Sequence, residues 1–142
     1  MSDAPSLRAL IDEYNDAWNR HDPDAIVALH CEDAVFHNHT SGGEAHGREA
    51  IRQLVASVFN VFPDIRFEPR RQYLADNLVV QEWTATATHL RPVLYQQRTL
   101  APTGKVIRWD GVDIMPVRDG LFARKDVYAS SLEYLRQLGA PV

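Results

Sequence analysis

Along 105–117 side chains alternate between two faces, and one face carries Ile107, Trp109, Gly111, Asp113, Met115 and Val117. Asp113 is the single carboxyl group in that apolar row, and Gly111 leaves space beside it. A carboxylate among apolar neighbours loses hydration, so its pKa rises unless a cation pairs with it. Such a group suits a general acid or base, or a protonated hydrogen-bond donor. The other reading is a carboxyl at a cavity mouth with a basic partner. A three-residue Arg118-Asp119-Gly120 loop would put Lys125 opposite Asp113, whereas a two-residue Asp119-Gly120 turn would put Asp126 there. The lysine register is the one expected.

Further candidates lie upstream. His37 and His39 share one face of a strand, and Phe36 and Asn38 the other. His-x-His also occurs in metal sites, yet Glu44, His46 and His89 stand at no recognised ligand spacing, so no metal is expected. Asn38 could meet a substrate carbonyl, or it could cap the turn that follows. Tyr14 and Trp18 lie one turn apart on an apolar helical stripe, as core residues often do. His89 shares a face with Trp83, Ala85 and Ala87, where either a structural histidine or a proton carrier fits. Phosphate loops, Ser-His-Asp order, paired cysteines and dinucleotide fingerprints are absent, so no cofactor is implied.

Elements that would position these groups follow from periodicity. Leu7, Leu10, Ile11, Tyr14, Ala17 and Trp18 predict a first helix opened by Asp3 or Ser6 near Pro5. Asp22 as N-cap and Pro23 at the first position open a second, through Leu29. A strand is expected over 34–39, ending at Gly42-Gly43, and a third helix from Ile51 to Phe62. Four longer strands follow over 65–74, 78–90, 105–117 and 121–130, joined by Asp76-Asn77 and Arg118-Asp119-Gly120. The segment 90–103 reads as a strand extension or a flap, and Leu132, Leu135 and Leu138 before Gly139 as a closing helix. Helices then lie on one side of a curved, mostly antiparallel sheet, an α+β cone whose mouth suits a ligand.

The chain has 45% hydrophobic and 24% charged residues, so one folded domain is expected, with its core over 7–138. Its net charge of −4 argues against nucleic-acid or anionic-membrane partners. A lone Cys31 and a polar, acidic start point to the cytoplasm, with no targeting or membrane segment expected.

Together, Tyr14-x-x-Ala17-Trp18-Asn19, the run from His21 to Leu29, Asp33-Ala34, Gly47-Arg48-Glu49-Ala50-Ile51, Phe62-Pro63-Asp64, Pro102-Thr103-Gly104-Lys105, Asp119-Gly120 and Leu135-Arg136-Gln137-Leu138-Gly139 carry a resemblance. The chain resembles the nuclear transport factor 2-like superfamily, and within it the SnoaL-like polyketide cyclases and ketosteroid isomerases. That resemblance implies a cone-shaped α+β barrel, a homodimer formed through the outer sheet face, and a small hydrophobic ligand. Tyr14 falls at the isomerase tyrosine that donates to the carbonyl oxygen, and Asp113 at the protonated aspartic acid sharing that oxyanion hole. Asn38 falls at the isomerase base, where an asparagine cannot abstract a proton. Against the cyclases, Asn38 matches a binding-site asparagine, Asp113 a site histidine, and Val127 the acid/base aspartate, which a one-residue slip would move to Asp126. The expectation is a cofactor-free acid/base enzyme acting on a polycyclic or polyketide-like carbonyl compound. Asp113, Tyr14, Asn38 and either His39 or His89 would handle protons, in a cavity lined by Trp18, Phe36, Phe59, Trp83, Trp109 and Met115. A non-catalytic ligand-binding or dimerisation module is the alternative, and an epoxide or ester hydrolase a third reading.

Overall fold

The computed structural model describes residues 4–142. Helix α1 (Ala4–Asn19) buries Leu7, Ile11, Tyr14 and Trp18 along one stripe. Of its two expected caps, Asp3 lies outside the described residues and Ser6 lies within the helix. Helix α2 (Pro23–Ala28) starts as its sequence requires, with the Asp22 carboxylate accepting from the Ala25 amide at 3.0 Å. Strand β1 (His30–Asn38) begins earlier than expected, and a short strand β2 (Glu44–His46) that the sequence did not announce pairs with it. Helix α3 (Arg48–Val61) follows, then β3 (Arg66–Ala75) and β4 (Leu78–Thr88).

Of the two readings of the segment before Gly104, the extension of β4 is not what forms. The segment forms a separate ribbon, β5 (Val93–Tyr95) with β6 (Arg98–Leu100), around Gln96 and Gln97, both at positive φ. Strands β7 (Val106–Arg118) and β8 (Leu121–Ala129) and helix α4 (Ser131–Gln137) complete the chain.

Six strands form one curved sheet in the order β2-β1-β8-β7-β4-β3. Neighbours run antiparallel except β1 and β8, which run parallel. Helix α1 lies against β3 and α3 against β1, closing one face of the sheet into a core. Register breaks in β3 near Arg70 and between β7 and β8 bend the sheet.

The second break corrects the expected pairing of Asp113. Asp119 and Gly120, at φ 54° and 77°, form a two-residue turn with Arg118 opposite Leu121. Beyond it one extra residue on β8 shifts the ladder, so Asp113 faces Val127, not Lys125 or Asp126. Lys125 reaches Asp113 from the diagonal position instead, so the expected partner is present by a different route.

Trp83 lies directly opposite Gly111 on β4, and a Cβ at Gly111 would stand 2.3 Å from Cζ2 of its indole. The glycine is therefore the floor on which Trp83 lies. Gly111→Ala is expected to cost about 1–3 kcal/mol by overpacking. Chemical denaturation reads that loss, and near-UV dichroism the displaced indole.

Candidate active site

Asp113 sits midway along β7 with its side chain facing the helices, and it is 3% exposed. Its Oδ2 lies 3.7 Å from Lys125 Nζ, whereas Oδ1 is buried with no hydrogen-bond partner. Burial raises the Asp113 pKa, and the Lys125 ammonium opposes that rise without cancelling it.

Lys125 comes from the strand beside, at the bulge. Its ammonium lies 4.4 Å from the Trp18 ring centre and 4.9 Å from those of Tyr14 and Phe36. Three aromatic faces thus hold a desolvated cation, which their quadrupoles favour. The same Nζ donates to Tyr14 Oη at 3.3 Å.

Tyr14 Oη also lies 2.9 Å from Nε2 of His30, which is fully buried. Burial, helped by the charges of Lys125 and Arg48, lowers the His30 pKa to about 3, so its ring is neutral at pH 7. His30 Nδ1 has no partner. A buried lone pair left alone costs less than a buried N–H left alone, which assigns the proton to Nε2. His30 and Lys125 then both donate to Tyr14, and the phenolic proton is free for the cavity. Burial raises the Tyr14 pKa, so it remains a donor.

Tyr14, Asp113 and Lys125 line a cavity of about 370 Å³ between α1, α3 and the sheet, with His30 buried behind Tyr14. Most of its wall is apolar: Trp18, Val61, Phe62, Ile65, Phe67, Trp83, Trp109 and Val127 contribute. Trp18 Nε1 is a second buried polar atom of this wall without a partner. An orphaned donor and an orphaned carboxyl oxygen in one cavity wall are sites for a polar ligand group.

A SnoaL-like domain model matches residues 11–125, which is most of the chain. This protein belongs to the SnoaL-like domain family. AclR of Streptomyces galilaeus, a proposed hydroxylase, superposes with a TM-score of 0.80 at 25% identity, over 97% of this chain and 87% of its own. IdmH of Streptomyces antibioticus, a proposed polyketide cyclase, gives 0.77 at 24% identity, over 94% and 98%. TerC, crystallised with polyporic acid, gives 0.77 at 20% identity, over 96% and 100%. No curated protein matches significantly.

In this SnoaL-like domain the cavity gathers Tyr14, Trp18, Phe36, Asn38, Trp83, Trp109, Asp113, Lys125 and Val127. Four other expected residues fall outside its lining. His39 points from the opposite sheet face, where its Nε2 meets Asp126 Oδ1 at 2.8 Å, so it is no proton carrier for the cavity. His89 is buried beside the β4 end, with Nδ1 bonded to Thr103 Oγ1 at 3.1 Å. Phe59 stands behind the wall, edge-on to Trp18 and stacked on His21. Met115 shares the inner face with Asp113 but is sealed completely in the core.

Asn38 caps the turn that follows and also lines the cavity. Its Oδ1 accepts from the amides of Thr40 at 3.0 Å and Ser41 at 3.1 Å, which leaves Nδ2 as the group a ligand can meet. Sequence reasoning missed His30 and the Asn15–Gln81 pair. Gln81 is 3% exposed, exchanges amide hydrogen bonds with Asn15 at 2.6 and 3.0 Å, and lies directly opposite Asp113 on β4. Its signal was available, since it interrupts the inward row of Val79, Trp83, Ala85 and Ala87 as Asp113 interrupts its own.

Proposed function

We propose that this SnoaL-like domain is a cofactor-independent acid/base enzyme that enolises a small hydrophobic carbonyl compound, in the manner of a polyketide cyclase or ketosteroid isomerase. The observation carrying this reading is the half-partnered, buried Asp113 carboxyl beside Lys125 and Tyr14 in an apolar cavity. Tyr14 and Lys125 are both donors and lie 3.3 Å apart, so they converge on one carbonyl oxygen. That leaves Asp113 to act as the base. It removes a proton from the carbon next to the carbonyl, the C–H electrons form the enolate double bond, and the negative charge collects on the oxygen held by Tyr14 and Lys125. Where a C=C bond is conjugated with the enolate, Asp113 returns the proton at the far carbon and the double bond shifts, which isomerises the substrate. Otherwise the enolate carbon attacks a second carbonyl of the same molecule, whose π electrons pass to its oxygen, and that alkoxide takes the proton from Asp113 as the ring closes. No electron carrier enters this scheme. TerC, which shares this fold and was crystallised with polyporic acid, supports a small-molecule ligand.

The test uses 2-tetralone, a bicyclic ketone with enolisable positions. The protein is expected to speed its deuterium exchange in D2O, followed by proton NMR. Binding of 2-naphthol, a phenol mimicking the enolate, quenches or shifts the cavity tryptophans.

A non-catalytic ligand-binding module is the second reading. It is favoured by Asn38 and Val127, which stand where the related enzymes are expected to carry their base. That reading predicts naphthol binding without exchange.

We also propose a homodimer through the outer sheet face, where Ile114 and Tyr128 are 37% and 46% exposed on adjacent strands beside Val80 and Val112. Ile114→Asp is expected to shift the sedimentation coefficient from dimer to monomer. The buried free thiol of Cys31 suits the reducing cytoplasm.

A further inference from the structure

The sheet face opposite the cavity carries a cluster that enolisation does not use. His37 near the end of β1 and His39, the first residue after it, project on the same side, with ring centres 3.7 Å apart. The parallel pairing of β1 with β8 sets Asp126 directly beside His37, and His39 Nε2 lies 2.8 Å from Asp126 Oδ1. One ligand atom from each of the three residues lies within 4.8 Å of the others. We propose that His37, His39 and Asp126 form a zinc-binding site, independent of the cavity chemistry.

Two imidazole nitrogens and one carboxylate oxygen are the donor set of many zinc sites that keep a fourth position open. Such a borderline set disfavours magnesium and calcium, which prefer all-oxygen shells. Tetrahedral bonds of about 2.0–2.1 Å separate ligand atoms by about 3.3 Å. Rotation of the imidazoles is what must close the remaining distance, His37 from the end of β1 and His39 from the first turn residue after it, which is tied to β8 by the bond from its amide to the Val127 carbonyl. On binding, the proton that links His39 to Asp126 moves to His39 Nδ1 through solvent, and the freed Nε2 lone pair takes the ion.

Arg124 is the group that must be reckoned with. Its Nε and Nη2 each lie 2.8 Å from an Asp126 oxygen. The guanidinium keeps Asp126 ionised, its pKa lowered chiefly by that hydrogen bond, and orients the carboxylate as outer partners of metal ligands do. Its charge would repel a cation, but Glu44 stands opposite His37 on β2 and offsets it. The ring of Tyr128 stacks on His39 at 4.2 Å and fixes its plane.

Zinc titration by calorimetry on the full chain tests the site, with a chelating dye as competitor. Wild type is expected to take up one Zn²⁺ per chain with micromolar or tighter affinity, and its melting temperature to rise with zinc. His37→Ala, His39→Ala and Asp126→Asn each weaken binding by at least about 10-fold. His21→Gln, which alters a histidine bonded to the Ile65 carbonyl and away from the trio, leaves the affinity unchanged. Melting without zinc shows that each variant is folded, and His37→Gln with His39→Gln replaces any alanine variant that is not. Wild-type affinity in the double histidine variant or in Asp126→Asn overturns the proposal, as does one ion per two chains.

Discussion

Asp113→Asn is expected to slow 2-tetralone exchange by about 10²–10⁴-fold, the usual contribution of a positioned base, while the melting temperature holds or rises. Both parts come from the same burial. The Asp113 pKa is raised above the ordinary aspartate value of 3.8 in the folded protein because the carboxylate is desolvated. In the unfolded chain it ionises near that lower value, so between the two pKa values folding takes up a proton, and stability falls as pH rises through this window. An amide has no such fall. Melting curves over a pH series are therefore expected to show the variant gaining on wild type as pH climbs above 3.8. Against this, Lys125 loses a carboxylate at 3.7 Å, but three aromatic faces still hold its charge. A residue whose removal harms the reaction without harming the fold is what a group kept for chemistry looks like. Equal exchange rates in the two proteins would sink the base assignment and favour the binding-module reading.

Asp113 was legible in the sequence because strand alternation is local: 105–117 needs no partner to show which residues share its face. The same parity correctly separated Phe36 and Asn38 from His37 and His39. What parity cannot give is which face meets the helices, nor how deep a residue sits. His39 was therefore offered to the cavity although it faces outward, and Met115, two residues from Asp113, was placed on a wall it lies beneath. The Asp113 partner depended on hairpin register. Both expected registers assumed a regular ladder, and the extra residue on β8 defeats each of them. The zinc trio was hidden for a different reason, since its third ligand is 87 residues from His39 and arrives through a parallel strand pair. A His-x-His spacing carries no trace of that topology.

Lys125→Met separates the roles within the cavity. Methionine keeps the length of the stem among Tyr14, Trp18 and Phe36 but removes the charge, and breaking a buried pair by removing one partner costs about 3–5 kcal/mol while the other stays ionised, so the melting temperature is expected to fall most where Asp113 is ionised. Activity should fall as well. Loss of one donor to a developing oxyanion costs about 10²–10³-fold, so exchange at neutral pH falls by about that factor, and 2-naphthol binds more weakly. The pH profile carries the decisive sign. Lys125 lowers the Asp113 pKa against the upward push of burial. Without it the carboxyl ionises only at higher pH. If Asp113 is the base, the rising limb of the rate profile moves to higher pH in Lys125→Met, and part of the lost rate returns on the alkaline side. If Asp113 instead acts protonated, as a third donor to the oxygen, the falling limb moves to higher pH and the variant keeps its rate further into the alkaline range. Tyr14 does not blur the comparison, because burial holds its hydroxyl above the ordinary phenol range. A profile whose rising limb stays in place would remove Asp113 from the proton-abstraction step, and Tyr14, freed of its lysine, would be the next group to replace.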